Sequence, residues 1–316
     1  MTQATTGTGK YEQMLVRCKD LNPVPTAVAH PCEETALAGA MEAAEKGLIT
    51  PILVGPAAKI REVAAAHKIA LGSTRIVDTP HSHASATKSV ELVRTGEAEL
   101  IMKGSLHSDE LLGAVVARET GLRTGRRISH VFIMDVPTYH KVLLVTDAAI
   151  NISPTLEDKL DIVQNAIDLA VALGVQTPKV AILAAVETVT SKMPATIDAA
   201  ALCKMADRGQ ITGGLLDGPL AFDNAIDMEA ARIKGIKSEV AGRAQILLVP
   251  DLEAGNMLAK NLAYFAKADS AGIVLGARVP VVLTSRADTA RARMASCAVA
   301  ALYAHARRQH APTVAA

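Results

Sequence analysis

The chain has 316 residues, half of them apolar, with an aromatic share of 2% and no Trp. This length suits two domains that each bury a core. The scarcity of aromatic rings excludes a protein that binds nucleic acid by stacking its bases. The formal net charge is +1, so long-range attraction to nucleic acid or to an acidic membrane is not expected.

The first 13 residues are polar and lack the apolar core of a signal peptide. No apolar stretch has the length needed to cross a bilayer. We therefore expect a cytoplasmic protein with neither a membrane nor a nucleic acid as partner. The four cysteines form no C-x-x-C pair, and His81 and His83 have no third ligand nearby in the sequence. We expect no metal site, and a polar loop around these two histidines.

Short β-branched runs alternate with Ala-rich stretches from the start of the chain to its end. Most of the runs are continuously apolar, which is typical of strands covered on both faces. The predicted strands are 26–29, 52–54, 99–102, 131–135, 142–146, 180–184, 214–216, 246–249, 272–275 and 281–284.

Amphipathic stretches at 34–46 and 158–173 predict helices between the strands. The strand–helix alternation predicts an α/β fold with mainly parallel sheets, arranged as three-layer α/β/α domains. The Ser-Pro pair at 153–154 suggests a domain boundary, and a last helix at 288–308 can return to the first half. We therefore predict a discontinuous first domain, residues 1–150 plus 277–316, with residues 151–276 inserted as the second.

Four loops follow predicted strands directly and carry Gly, Ser, Asp, Lys or Arg. Phosphate groups bind well where a strand ends and a helix begins, because free N–H groups point outward there. Each loop can also be read as an ordinary turn with a helix cap. No loop matches a Walker A or a dinucleotide-binding motif. The candidate residues are Lys103, Gly104, Ser105, Asp217, Gly218, Pro219, Asp251, Gly255, Asn256, Ser285, Arg286 and Asp288.

Several motifs occur together, among them KGSLHSDELLGAVV, GPLAFDNA, VPDLEAGN and PVVLTSRAD. With these motifs the chain resembles the phosphate acetyltransferase/phosphate butyryltransferase family, and more closely its butyryltransferase branch. The resemblance implies two domains around a cleft, a fold like that of isocitrate and isopropylmalate dehydrogenases, and a homodimer. It also implies a reversible reaction in which acyl-CoA and phosphate give acyl phosphate and CoA, without a metal or redox cofactor.

The resemblance places Ser285 and Arg286 in the cleft. A guanidinium can bind two oxygens of an acyl phosphate, and a hydroxyl can stabilise the carbonyl oxygen. CoA thiolate attacks the acyl phosphate directly, which calls for a general base. The acetyltransferase branch has a carboxylate where this chain has Ala292. The nearest carboxylate is Asp288, which is either the base or the cap of the last helix.

Two further positions are open at this point. Relatives carry an Arg near Gly113, so that Arg123, Arg126 or Arg127 either supplies the missing charge or belongs to a solvated loop. His30 follows the first predicted strand and either faces the cleft or is an ordinary buried histidine.

Two alternative functions also remain: a metal- and NAD-dependent hydroxy-acid dehydrogenase, or a family member that binds CoA with weak or lost catalysis.

Overall fold

The computed structural model describes residues 9–284 and 288–310. The chain divides into two compact units. Unit 1 comprises residues 1–122 and 279–316, and unit 2 comprises residues 123–278. In sequence, unit 2 is thus inserted into unit 1.

Strands and helices alternate through both units. In chain order the elements are α1 (Lys10–Cys18), β1 (Val24–Ala29), α2 (Glu34–Glu45), β2 (Ile49–Gly55), α3 (Ala57–Ala66), β3 (Arg75–Asp78), α4 (Ser82–Arg94), β4 (Leu100–Lys103), α5 (Ser108–Val115), β5 (Ser129–Asp135), β6 (Leu143–Thr146), α6 (Leu156–Ala172), β7 (Lys179–Leu183), α7 (Pro194–Asp207), β8 (Leu215–Leu220), α8 (Phe222–Ile226), α9 (Met228–Ile233), β9 (Ile246–Leu248), α10 (Leu252–Tyr264), β10 (Asp269–Leu275), β11 (Val281–Val282) and α11 (Ala290–His310).

The strands of unit 1 are ordered β3-β2-β1-β4-β11, and each neighbouring pair is parallel. Helices α2, α3 and α11 pack together on one side of this sheet, and α4 and α5 pack together on the other. The chain first builds strands outward from β1 to β3 and then returns to the other side of β1 with β4. The gap between the ends of β1 and β4 is therefore a topological switch point, where open α/β sheets bind ligands.

The strands of unit 2 are ordered β10-β5-β6-β9-β7-β8. Strand β5 is antiparallel to both β10 and β6, whereas β6, β9, β7 and β8 run parallel. Helices α6 and α7 pack together against these parallel strands. Helices α8 to α10 cover an apolar core that includes Leu183, Leu220 and Leu247.

The α/β class with mainly parallel sheets is confirmed, and each predicted strand overlaps an observed one. Strand β3 was missed because it is short and its side chains are exposed or half-buried. The predicted strand at 214–216 is in fact β8, which continues to Leu220. The unit boundary lies at Arg123 and not at residue 151, because β5 and β6 pair with strands of unit 2.

Helix caps explain where two of the helices begin. Thr155 Oγ1 accepts from Asp158 N, and the Asp158 carboxylate accepts from Thr155 N, which completes a capping box at α6. At α11, Thr289 Oγ1 accepts from Ala292 N at 3.1 Å. Of the two roles left open for Asp288, base or cap, the cap of α11 is thus taken by Thr289. Among the described residues, no helix has both the length and the apolarity to span a membrane.

We expect Thr155→Ala to lower the free energy of unfolding by about 1 kcal/mol, because the first turn of α6 loses a partner for its N–H groups. Thr177→Ala is the matched control, since Thr177 is exposed in the same unit and should change stability by less than about 0.5 kcal/mol. Urea unfolding followed by circular dichroism measures both. Equal midpoints for the two variants would contradict the capping role.

Candidate functional site

The switch point of unit 1 is closed by backbone contact between β1 and β4. Ala29 pairs with Lys103 in the parallel register, and Gly104 N donates to Ala29 O at 2.8 Å. A Cβ added at Gly104 would lie 2.3 Å from Ala29 O and 2.6 Å from His30 O. No side chain fits there, so Gly104 allows the two strand ends to approach each other.

Ser105 ties the loop after β1 to the loop after β4. Its hydroxyl donates to His30 O at 2.7 Å and accepts from Cys32 N at 3.1 Å, while its own N–H donates to His30 O at 2.9 Å. The residue predicted to bind substrate therefore also holds a backbone turn. Its hydroxyl fixes the position of His30, which has a positive φ of 56°.

Two cations are buried beside this turn. Lys103 is 7% exposed, and its ammonium donates to Gly104 O and Thr284 O at 3.4 Å. Arg293 of α11 is 8% exposed and lines the same small cavity as Lys103, Gly104 and Thr284. Sequence reasoning missed Arg293, whose only signal was a charged residue in the Ala-rich start of the last helix. The pair brings two positive charges to the end of β4, in a cavity that the acidic residue Glu33 also lines.

The predicted residues Ser285 and Arg286 lie outside the described residues. In sequence they directly follow Thr284, which is 7% exposed. Strand β11 pairs in parallel with β4, Val282 opposite Met102. Thr284, the last described residue before them, therefore lies at the same edge of the sheet as Lys103, where β4 and β11 end. Asp288 is described and half-buried.

A cavity of about 360 Å³ opens at the same edge, between the ends of β1, β2 and β4. Burial raises the pKa of its Cys32 thiol to about 11, so Cys32 is a thiol at neutral pH and a poor nucleophile. The lining residues are His30, Cys32, Glu33, Pro56, Lys59, Ser82, Ser105, Leu106, His107 and Glu110.

In unit 2, a buried carboxylate that sequence reasoning also missed organises the loop after β6, and Asn256 of α10 contacts the same loop. Asp147 is 2% exposed and accepts from the backbone N–H groups of Ala149, Ile150 and Asn151 at 3.0 to 3.2 Å. Asn256 Nδ2 donates to Ala148 O at 3.2 Å. The signal in the sequence was an Asp directly after an apolar strand.

The predicted residues on α10 have structural contacts in unit 2. Asp251 caps the helix, with its carboxylate accepting from Ala254 N at 2.8 Å. A Cβ at Gly255 would lie 2.7 Å from Val249 and 2.9 Å from Asp147 O. Protein atoms, and not open space, therefore face Gly255, which was predicted to admit a ligand.

The predicted turn at 217–219 lies inside β8. Asp217 Oδ1 accepts from Gly218 N at 2.8 Å, and a Cβ on Gly218 would lie 2.7 Å from Ile182 O. Pro219 is tolerated because β8 is the last strand of the unit 2 sheet. These three residues are thus part of an edge strand and not a turn that leaves it.

Of the three arginines weighed as substitutes for an Arg at Gly113, Arg126 and Arg127 are engaged within unit 2, and Arg123 is exposed. Arg126 forms an ion pair with Asp168, and Arg127 donates to Asn151 Oδ1 at 2.9 Å. Gly113 lies on the exposed face of α5.

His81 and His83, expected in a polar loop, lie at the start of α4, where His81 accepts from Ala84 N at 3.2 Å. Within residues 9–284 and 288–310, no group of three metal-ligating side chains is arranged to hold an ion.

These features define a two-unit α/β protein with a cationic strand-end site, and comparison with known proteins places it among the acyltransferases. Residues 82–301 match the family described as "Phosphate acetyl/butaryl transferase". The match covers well over half of the chain, and the chain belongs to this family.

Two relatives and one solved structure illustrate the likeness. "Phosphate acetyltransferase" of Rhizobium meliloti is 69% identical over 299 residues, 95% of each chain. "Phosphate butyryltransferase" of Clostridium acetobutylicum is 43% identical over 291 residues, 92% of this chain and 96% of that one. The crystal structure of a branched-chain phosphotransacylase from Enterococcus faecalis V583 is similar with a TM-score of 0.79 and 30% identity. The aligned region covers 89% of this chain and 99% of that one.

The sequence motifs and the overall sequence identity favour different branches of the family. The motifs favoured the butyryltransferase branch, yet of these two relatives the one named acetyltransferase is the more similar. A few loop motifs weigh less than identity over nearly the whole chain. Membership of the family is the conclusion that both relatives support.

We expect Gly104→Ala to destabilise unit 1 by about 1–3 kcal/mol, because the new Cβ overlaps the backbone at Ala29 and His30. Gly113→Ala is the control in the same unit. Nothing lies within 4 Å of its added Cβ, so this helix substitution should stabilise by about 0.5–1 kcal/mol. Thermal unfolding distinguishes the two, and a stable Gly104→Ala variant would sink the close-approach argument.

Proposed function

We propose that this chain catalyses the reversible transfer of a short acyl group between CoA and phosphate. The observation that carries the proposal is the 69% identity, over 95% of both chains, to a relative named "Phosphate acetyltransferase". Acyl-CoA, CoA and phosphate are its substrates.

The strand-end site of unit 1 supports this chemistry. Acyl phosphate carries concentrated negative charge, and Lys103 and Arg293 bring two buried cations to the end of β4. The family resemblance assigns Arg286 to the phosphate oxygens and Ser285 to the carbonyl oxygen. In this proposal the thiolate of CoA attacks the carbonyl carbon directly, and phosphate leaves.

We propose acetyl as the preferred acyl group. The support is the greater similarity to the relative named acetyltransferase than to the one named butyryltransferase. Discrimination between acyl chains that differ by a methylene or two is worth only about 1–3 kcal/mol. Propionyl and butyryl groups should therefore be accepted at lower rates.

The proposal includes a cytoplasmic homodimer that needs neither a metal nor a redox cofactor. Exposed apolar side chains in α10 and directly after it support an interface between copies of the chain. Met257 is 61%, Tyr264 68% and Phe265 86% exposed, although the chain has only three Phe and four Tyr. Large apolar side chains exposed on one segment of a surface are typical of interaction surfaces.

The reaction is tested by thiol release from acetyl-, propionyl- and butyryl-CoA with and without phosphate. We expect release that depends on phosphate, with the highest kcat/KM for acetyl-CoA. Activity that requires NAD and a divalent cation would favour the dehydrogenase alternative. If the protein binds CoA but releases no thiol from any acyl-CoA, it is a family member that has lost catalysis.

We expect Arg286→Ala to lower kcat/KM about 100-fold, because one charged donor to the departing phosphate is lost. Arg286→Lys should recover only part of the activity, since an ammonium cannot bind two oxygens in a fork. Arg94→Ala, which alters an exposed residue of α4, is the control and should behave as wild type. Steady-state kinetics with circular dichroism as a folding check decides, and an unchanged kcat/KM would remove Arg286 from the site.

A further inference from the structure

His30 is held in place by the backbone on both sides of the switch point. Its carbonyl oxygen accepts from Ser105 N, Ser105 Oγ and Cys32 N at 2.7 to 2.9 Å. Its φ of 56° lies in the left-handed region, which is uncommon for residues other than glycine, with Asn, Asp and His the most frequent exceptions. Such conformations concentrate at functional sites. The backbone position from which the imidazole side chain extends is therefore fixed at the end of β1.

Ser85 lies beside one nitrogen of the ring. His30 Nδ1 lies 3.0 Å from Ser85 Oγ, which also lies 2.8 Å from Thr79 Oγ1 and donates to His81 O at 3.0 Å. A hydroxyl has one hydrogen to donate, so while Ser85 donates to His81 O it can only accept from His30. In the tautomer that satisfies both bonds, the proton is on Nδ1 and Nε2 has a lone pair.

The second ring nitrogen is available to a ligand. His30 lines the cavity of about 360 Å³, and its Nε2 has no hydrogen-bond partner in the part of the chain that the structure describes. Glu110 lines the same cavity, and its Oε2 is buried and likewise has no partner among the described residues. The cavity thus presents two acceptors and has the volume for part of a small molecule.

The ring is neutral at pH 7. Burial lowers the pKa of His30 below its usual value of 6.5, against the opposite effects of Glu110 and Glu33, while His81 lowers it further. A neutral imidazole with a free Nε2 is a proton acceptor at physiological pH.

The position of His30 relative to the cationic site follows from the strand order. Strands β1, β4 and β11 are neighbours, and neighbouring strands lie about 4.8 Å apart. His30 is therefore about 10 Å from the chain at Thr284, with Gly104 and Ser105 between them. Glu33 lines both the larger cavity and the small one that contains Lys103 and Arg293.

We propose that His30 is a catalytic residue, the general base that takes the thiol proton of CoA. Nε2 accepts the S–H proton, the sulfur forms a bond to the acyl carbon, and the carbon–oxygen bond to phosphate breaks with its electron pair on phosphate. In the reverse direction the imidazolium returns the proton to the departing thiolate. The assignment rests on the proposed acyl transfer.

The reaction needs such a group because a free thiol with a pKa near 8.5 is only about 3% ionised at pH 7. A positioned base contributes roughly 10²- to 10⁴-fold. Glu110 acts on His30 through its charge in this scheme, since a carboxylate near the ring favours the imidazolium.

The test compares His30→Asn with Lys68→Asn. Asn tolerates the left-handed conformation, and its amide can still donate to Ser85 Oγ. Lys68 also has a φ of 56° but is exposed at the end of α3 and lies outside the cavity lining. With acetyl phosphate and CoA at pH 7, we expect His30→Asn to lower kcat at least 100-fold with little change in the KM for acetyl phosphate. Lys68→Asn should match wild type.

The pH profile separates a base from a merely structural residue. The wild-type rate should rise through an inflection below pH 6.5 and then level off, as His30 loses its proton. The His30→Asn rate should lack this inflection and rise about tenfold per pH unit towards the thiol pKa near 8.5, so that its deficit shrinks. A deficit that is equal at every pH, or a loss of less than threefold at pH 7, overturns the proposal.

A second variant covers the case in which His30→Asn does not fold. Glu110→Gln removes the carboxylate charge that raises the His30 pKa, so the inflection should move to lower pH. Loss of the inflection in Glu110→Gln would make Glu110 the base instead. A wild-type enzyme without acetyl-CoA formation refutes the acyl transfer itself, whereas an active wild type with unaltered variants refutes only the role of His30.

Discussion

The contact on which the rest of unit 1 depends is the approach of Gly104 to the backbone of Ala29 and His30. Because no Cβ fits between these strand ends, the loops after β1 and β4 come within hydrogen-bond distance and Ser105 can join them. That junction places the imidazole of His30 on one side and the buried ammonium of Lys103 on the other. The ring of His30 and the ammonium of Lys103 are thus separated by a single turn of chain.

Much of the fold was predictable from the sequence, because buried parallel strands are continuous apolar runs. The exceptions were elements that this pattern does not reveal. Strand β3 has exposed and half-buried side chains, and the second half of β8 contains Asp217, Gly218 and Pro219, which normally mark a turn. The unit boundary was misplaced because the pairing of β5 with β10 joins residues more than 130 positions apart.

The site was predictable only in outline. The loop 103–105 was predicted as a binding loop because strand ends bind anions, and the structure places Arg293 and Glu110 among the residues around it. Arg293 and Glu110 were not predicted, since they come from helices whose orientation a single sequence does not disclose. Asp251 and Gly255 illustrate the opposite error: one caps α10 and the other packs against Val249. A polar residue after a strand has the same signature whether it binds a ligand or its own backbone.

The insertion of unit 2 into unit 1 has a consequence for how the protein is made. The ribosome completes all of residues 123–278 before it adds β11 and α11, which unit 1 needs for its last strand and for Arg293. A nascent chain therefore holds β1 to β4 without their fifth partner while unit 2 is already whole. The cationic site is assembled only when synthesis is nearly finished, so truncated products lack it.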